Sequence, residues 1–140
     1  MKKFLKILKN VTLYIWQLPQ NLVGLFVRLI FVGEVKHTVA GIDFWYCKSF
    51  PGGISLGNMV MIGSDYIPVV KHEYGHQIQS KVLGPLYLFI IGIPSLVHAW
   101  LHDCEKGSKH YYHFYTESWA DKWAGIVRDK NGIVIKIVAN

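Results

Sequence analysis

Charged side chains are scarce in this sequence, which has nine acidic and 15 basic residues among 140 positions. They make up 17% of the chain, whereas about 25% is usual for soluble globular domains. Hydrophobic residues make up 51% and aromatic residues 14%, which is more apolar material than a core of this size needs. The shortage of charge therefore favours contact with lipid or with a large apolar partner.

Cysteine is also scarce, because Cys47 and Cys104 are the only two. Two thiols exclude the dense disulfide framework of small secreted domains, and both a Cys47–Cys104 disulfide and two free thiols stay open. The sequence has no Gly/Ser-rich or Pro-rich linker, no internal repeat and no low-complexity tract. We therefore expect one domain over residues 1–140.

The net charge of +6 is compatible with nucleic acid or with an anionic membrane surface. No basic run is interleaved with aromatic residues in the way that nucleic-acid modules show, so we expect no nucleic-acid partner. Apolar residues at three- and four-residue spacing predict a basic amphipathic helix over residues 1–18, with lysines on its other side and Pro19 ending or kinking it. The lysines are Lys2, Lys3, Lys6 and Lys9.

Residues 22–32 continue the apolar character, and we interpret residues 1–32 as a basic, amphipathic and apolar anchor. Trp16 to Pro19 interrupts the apolar region and no clear cleavage site follows, so a removed signal peptide is disfavoured. The predicted location is a membrane surface, the inner (cytoplasmic) membrane if the source is bacterial. The lysines favour a cytoplasmic N-terminus.

The rest of the pattern predicts an α+β fold. Residues 35–62 suit strands and turns, with residues 54–62 as a strand interrupted at Gly57. Helices are predicted over residues 69–81 and 116–127, and a short strand over residues 133–138.

Residues 82–101 contain no Asp, Glu, Lys or Arg. This uncharged stretch is long enough for a membrane span. Pro85 and Pro94 predict breaks in this stretch. We expect a re-entrant or interfacial helical hairpin bent near Pro94.

Residues 72–76 read H-E-x-x-H. On a helix, His72 and His76 project from one face and can bind one zinc ion per chain. Glu73 lies beside them and can accept a proton from a water molecule at the metal.

Two histidines leave a catalytic zinc site short of one ligand. Glu117 and Asp121 occur in E-x-x-A-D, one helical turn apart. This spacing indicates Glu117 as the third ligand, and Asp121 as the carboxylate that accepts the free ring N–H of a ligand histidine.

H-E-x-x-H followed by E-x-x-A-D resembles the gluzincin metallopeptidases, and in particular three membrane groups: CAAX prenyl endopeptidases, the heat-shock membrane protease and antirepressor-type sensor proteases. The resemblance implies a minimal zincin-like domain in which His72, His76 and Glu117 bind zinc, Glu73 is the catalytic base and Asp121 supports the site.

The resemblance also implies that an edge strand before the motif helix pairs with the backbone of an extended substrate. Leu56, Asn58 and Val60 are the candidates for this strand, and an ordinary core strand is the alternative. His98, His102 and His113 suit the membrane–water boundary, where amphipathic rings gather. The alternative is that one of the three is a transition-state hydrogen-bond donor.

These patterns predict a zinc-dependent endopeptidase that acts on membrane-proximal polypeptides. The alternative from another class is a non-catalytic membrane-associated protein in which zinc only stabilises the fold. A third interpretation is a protein without metal that binds an apolar partner.

Overall fold

The structure is a computed structural model that describes residues 1–104 and 110–138, with the backbone alone for residues 103–104. The predicted α+β class is confirmed. The helices are α1 (Lys2–Trp16), α2 (Leu18–Ile30), α3 (Ile67–Leu83), α4 (Ile93–Cys104) and α5 (Tyr115–Ala124). The strands are β1 (Glu34–Val39), β2 (Ile42–Tyr46), β3 (Gly53–Leu56), β4 (Met59–Ile62), β5 (Ile126–Arg128) and β6 (Val134–Ile137).

The main sheet has the order β1-β2-β4-β3, with β4 parallel to β2 and antiparallel to β3. The prediction of one strand over residues 54–62 is wrong, because the chain reverses at Gly57 and Leu56 lies opposite Met59. Gly57 has φ 61°, and a glycine first in a two-residue hairpin loop favours this reversal. As a result β3 is an edge strand and β4 is interior.

The core lies on both faces of β4, whose four residues are all buried. Met61 packs with Tyr87 and Ile91 on one face, and Val60 packs with Phe44 on the other. An unbroken apolar run is typical of a strand buried on both sides. Cys47 is a buried free thiol, and the side chain of Cys104 lies outside the described residues.

Helices α3 and α5 pack closely, and two small residues make this possible. A methyl group on Gly75 would overlap the backbone carbonyl of Ala120, which is itself fully buried. Both residues belong to the sequence motifs, so the glycine of H-E-Y-G-H and the alanine of E-x-x-A-D set the spacing between the two helices.

Helix α5 ends three residues earlier than predicted. Gly125 takes a left-handed conformation with φ 72°, which ends the helix, and residues 126–128 then pair with β6. The N-terminal prediction of a break near Pro19 is close to the structure, because α1 ends at Trp16 and Pro19 lies in the first turn of α2.

The apolar stretch 82–101 bends at Tyr87 and not near Pro94. The helical segments Ile67–Leu86 and Leu88–His102 meet there at 119°. Pro94 stays inside a helix because a π turn (Leu88–Gly92) precedes it. The carbonyl of Ile90 accepts a hydrogen bond from the Tyr115 hydroxyl, at 2.6 Å, in place of the N–H that proline lacks. In the described residues no single helix has the length and apolar composition to cross a membrane, whereas this bent pair meets both criteria together.

Candidate metal centre

Three side chains that are far apart in sequence meet at the contact between α3 and α5. The Nε2 atoms of His72 and His76 lie 3.0 Å and 3.4 Å from the Oε2 atom of Glu117. All three residues are at most 6% exposed. Their ligand atoms lie within 4.8 Å of one another, so the group can hold one metal ion.

The hydrogen-bond partners of the two histidines determine which ring nitrogen faces Glu117. Nδ1 of His72 lies 2.8 Å from Oδ1 of Asp121, and Nδ1 of His76 lies 2.7 Å from Oε1 of Gln79. Both partners are acceptors, and the amide nitrogen of Gln79 donates to the carbonyl of Thr116. Each Nδ1 therefore carries a proton, and each Nε2 directs its lone pair toward Glu117 in the neutral ring.

Two hydroxyl groups position the carboxylate of Glu117. Ser95 and Thr116 both donate to its Oε1 atom, at 2.6 Å and 2.9 Å. These bonds leave Oε2 directed toward the histidines. Ser95 belongs to α4, so the apolar stretch contributes directly to the geometry of the site.

Asp121 connects His72 to the guanidinium of Arg128, which lies outside the candidate metal centre. The Nε atom of Arg128 donates to Oδ2 of Asp121 at 2.6 Å, and the guanidinium lies 3.4 Å from the centre of the Tyr112 ring. The Tyr112 ring in turn meets His72 edge-on, with ring centres 5.3 Å apart. Arg128 thus balances the charge of a carboxylate whose other oxygen orients a ligand histidine.

The electrostatics of the three residues fit a cation. Burial by itself lowers the pKa of His72, but hydrogen bonds to Asp121 and Glu117 raise it to about 10. Burial by itself raises the pKa of Glu117, but the hydrogen bonds with His72 and His76 hold it well below its usual range. Two ring nitrogens and a carboxylate oxygen that point at one another need a proton or a metal ion between them, and N/O donors of this kind suit zinc.

Glu73 lies beside this centre, turned toward the sheet. Its Oε2 atom accepts a hydrogen bond from Ser55 of β3 at 2.9 Å, and burial raises its pKa. A methyl group on Gly53 would overlap the Glu73 carboxylate. The edge strand therefore approaches Glu73 as closely as a residue without a side chain allows.

The ligand residues and Glu73 line a cleft of about 800 Å³, which is within the usual range for ligand pockets. Part of its lining is β3 and the segment before it, and another part comes from the π turn and α4. Tyr111 and Tyr112 complete the lining next to the histidines.

The free edge of β3 faces this cleft. In an antiparallel pair of strands, residues that hydrogen-bond the partner strand alternate with residues that do not. The N–H of Gly63 donates to the carbonyl of Gly52, so Gly53 and Ser55 are positions whose backbone groups point away from β4. The Tyr87 hydroxyl donates to the carbonyl of Ser55 at 2.9 Å, which agrees with this alternation. Within the described part of the chain, no other hydrogen bond to the backbone groups of Gly53 and Ser55 on this edge is found.

The three residues named for the substrate strand lie in different positions. Leu56 is buried at the end of β3, and Asn58 is in the turn, where its N–H donates to Asn21. Val60 lies in β4, which is paired on both sides and fully buried. Of the three, only Leu56 belongs to the edge strand, and the free backbone groups are those of Gly53 and the N–H of Ser55.

The three histidines named as transition-state donors do not line the cleft. His98 lies 3.0 Å from the carbonyl of Tyr111 through Nε2 and stacks on Phe114, and His102 bonds the carbonyl of His98. His113 is exposed and lines a separate, smaller cavity. The aromatic loop instead reaches the cleft through Tyr111 and Tyr112.

Sequence reasoning missed several residues that complete the site. Gln79 lies three residues after His76, a spacing that places both on one helical face. Ser95 is a hydroxyl residue within an otherwise apolar stretch, which is itself a signal. Arg128 and Ser55 carry no such signal, because the sheet pairing brings them to the site.

No protein-family model, curated protein or solved structure matches this chain. The candidate metal centre is therefore defined by its own geometry: a buried His-His-Glu group that could hold a metal ion, with a second buried glutamate beside it, in a cleft with a free strand edge.

Proposed function

We propose that this protein is a zinc-dependent endopeptidase of minimal zincin-like architecture. The observation that carries the proposal is the convergence of His72, His76 and Glu117 beside the buried carboxylate of Glu73. The resemblance of the two motifs to gluzincins adds support. A zinc ion held by these three ligands would polarise a peptide carbonyl and lower the pKa of a water molecule.

Glu73 is the general base in this proposal. Its carboxylate accepts a proton from the attacking water and later donates it to the leaving amine. Burial raises the pKa of Glu73, which brings the carboxylate closer to the range in which it can both accept and release a proton. The Ser55 hydroxyl holds Oε2 while the metal ligands lie on the other side.

The substrate is an extended polypeptide that adds a strand to β3. Gly53 and Ser55 offer backbone groups at the free edge. In pairing of this kind the hydrogen bonds are made to the backbone of the substrate and not to its side chains. The Tyr87 hydroxyl occupies the carbonyl of Ser55, and burial raises the pKa of Tyr87 well above its usual value, which keeps this donor protonated. Membrane-proximal polypeptides are the expected substrates, because apolar residues of α4 also line the cleft.

The test is hydrolysis of an unstructured protein by purified zinc-loaded enzyme, compared with Glu73→Gln. The variant keeps all three ligands, so we expect it to bind one zinc ion per chain and to lose activity by at least 100-fold, the lower end of what general acid–base catalysis contributes. Equal activity in the two proteins would overturn the proposal. Glu117→Ala should lose both zinc and activity, as measured by elemental analysis and the same assay.

The second candidate function is a zinc-stabilised structural or binding protein. It is favoured by one observation, namely that the ligands come from α3 and α5 and a metal would join these helices. This function predicts that Glu73→Gln is silent in every assay, while Glu117→Ala lowers the melting temperature. Hydrolysis by the wild type and by Glu73→Gln separates the two functions, because both predict that Glu117→Ala loses zinc and stability.

A further inference from the structure

Three helical segments of the chain expose large apolar side chains. Seven of these are between 64% and 74% exposed: Phe4, Ile15, Phe26, Leu29, Phe89, Leu96 and Trp100. They belong to α1, α2 and the segment from the π turn through α4, which together we call the helical face. Monomeric soluble proteins rarely expose large contiguous apolar patches, so this surface requires an occupant.

Helix α1 has the geometry of an interfacial helix. None of its 15 residues is buried against the described part of the chain. Phe4, Leu8, Val11 and Ile15 follow a four-three-four spacing and share one side, whereas Lys2, Lys6 and Lys9 lie on the opposite side. An apolar stripe opposite a lysine-rich side is typical of helices that lie in the membrane interface.

The charge of this region specifies the chemistry of the occupant. Residues 1–33 contain five basic residues and no acidic residue. An apolar protein partner would not require this charge, whereas a bilayer with anionic lipids offers both acyl chains and negative headgroups. Each lysine near such a surface contributes about fivefold to binding.

A buried polar contact holds α1 and α2 against the helix that carries the ligand histidines. Gln17 and Gln20 are fully buried at the junction of the two helices. Gln17 accepts a hydrogen bond from Ser80 at 2.8 Å, Gln20 donates to the carbonyl of Gly84, and the Trp16 indole donates to the carbonyl of Lys81 at 3.1 Å. The N-terminal helices are therefore built into the fold and fixed relative to the metal centre.

The cleft opens between parts of the helical face. Val23 of α2 and Ile93 and Leu96 of α4 line the same cleft as the metal ligands, and all three are also exposed. We propose that the helical face docks on an anionic lipid bilayer, so that the cleft opens toward the lipid. This inference goes beyond the proposed function, since docking needs neither metal nor hydrolysis.

The test is flotation of the purified full chain, after detergent removal, with phosphatidylcholine vesicles that contain or lack phosphatidylserine. One variant replaces Lys2, Lys3, Lys6 and Lys9 by Gln, and a second combines Phe4→Ser, Leu8→Ser and Val11→Ser. These positions are exposed, so folding should not change, as circular dichroism checks. The matched control is Ile133→Ser with Ile135→Ser, because both residues are exposed and lie outside the helical face.

We expect the wild type and the control to float with the anionic vesicles. The lysine variant should bind them at least 100-fold more weakly, and the apolar variant should not bind. Wild type that stays unbound, or binding that neither variant reduces, would overturn the proposal. A dimer that buries the helical face and does not bind vesicles would also overturn the proposal. Glu73→Gln and Glu117→Ala should float like the wild type, because docking needs neither metal nor hydrolysis. Their flotation therefore tests the docking proposal independently of the proposed peptidase.

Discussion

Around the metal centre, ionisable side chains are buried and each has a partner: His72 has Asp121, His76 has Gln79, Glu73 has Ser55 and Glu117 has Ser95. In α1 and α2 the distribution is the reverse, because large apolar residues such as Phe26 and Leu29 are exposed. In the first region polar groups lie inside the protein, whereas in the second region apolar groups lie on its surface.

This difference separates two kinds of stabilisation. The metal centre depends on close packing and on hydrogen bonds that leave few alternatives for each side chain, since an unpaired buried polar group is costly. The exposed apolar residues contribute little to folding in water, because they are not removed from it. Substitutions should therefore have large effects in the first region and small effects in the second.

Gly75→Ala should have the largest effect. The added methyl group would overlap the Ala120 carbonyl, which pushes α3 away from α5 and separates the histidines from Glu117. Overpacking of this kind costs about 1–3 kcal/mol, and zinc binding should be lost with it. Thermal unfolding and elemental analysis measure both effects. The control is Gly92→Ala, whose methyl group would meet no atom closer than 3.4 Å; equal behaviour of the two variants would contradict the packing argument.

Acidification should weaken zinc binding. Burial by itself lowers the pKa of His72, but hydrogen bonds to Asp121 and Glu117 and the charges of Glu73 and Glu117 together raise it to about 10, so the metal-free site holds a proton at neutral pH. Zinc needs the neutral ring, and binding must release this proton. Below the raised pKa, we expect the affinity to fall about tenfold for each unit of pH decrease per proton released. Calorimetry in buffers of different ionisation enthalpy measures the release; an affinity that does not vary with pH would rule out this competition.

Ser95→Ala should weaken zinc binding by about tenfold, the lower end of the range for residues that orient metal ligands. The variant removes the 2.6 Å hydrogen bond to Oε1 of Glu117, whereas Thr116 keeps its own bond to the same atom. Competition with a chromogenic chelator gives the affinity. Ser118→Ala is the matched control, because Ser118 is exposed on α5 and its hydroxyl donates only to the carbonyl of Tyr115 among the described residues. A Ser95→Ala protein with wild-type affinity would show that α4 does not position Glu117.

Leu29→Ser should have the smallest effect on folding. Leu29 is 74% exposed, and surface substitutions usually change the free energy of unfolding by less than about 0.5 kcal/mol. Chemical denaturation in vesicle-free buffer measures this change. A loss of several times that size would mean that Leu29 is covered in solution, and the contrast between the two regions would not hold.

The motif helix and the ligand residues were predictable because their signals are local. Spacing of four residues places His72 and His76 on one face, and the same rule relates Glu117 to Asp121. The hairpin at Gly57, the end of α5 at Gly125 and the bend at Tyr87 were not predicted correctly. At each of these places a short apolar or mixed segment is compatible with more than one structure, and contacts elsewhere in the chain select among them.

By itself, the sequence determined the α+β class, the candidate ligands and the apolar, basic character of the N-terminus, because periodicity and composition act within a few residues. Tertiary packing was needed to bring Ser95 and Arg128 to the site and to place Gly53 and Ser55 of β3 against Glu73. The physical reason is that these contacts join residues distant along the chain, so they depend on the packing of α3 against α5 and on the pairing of the sheet.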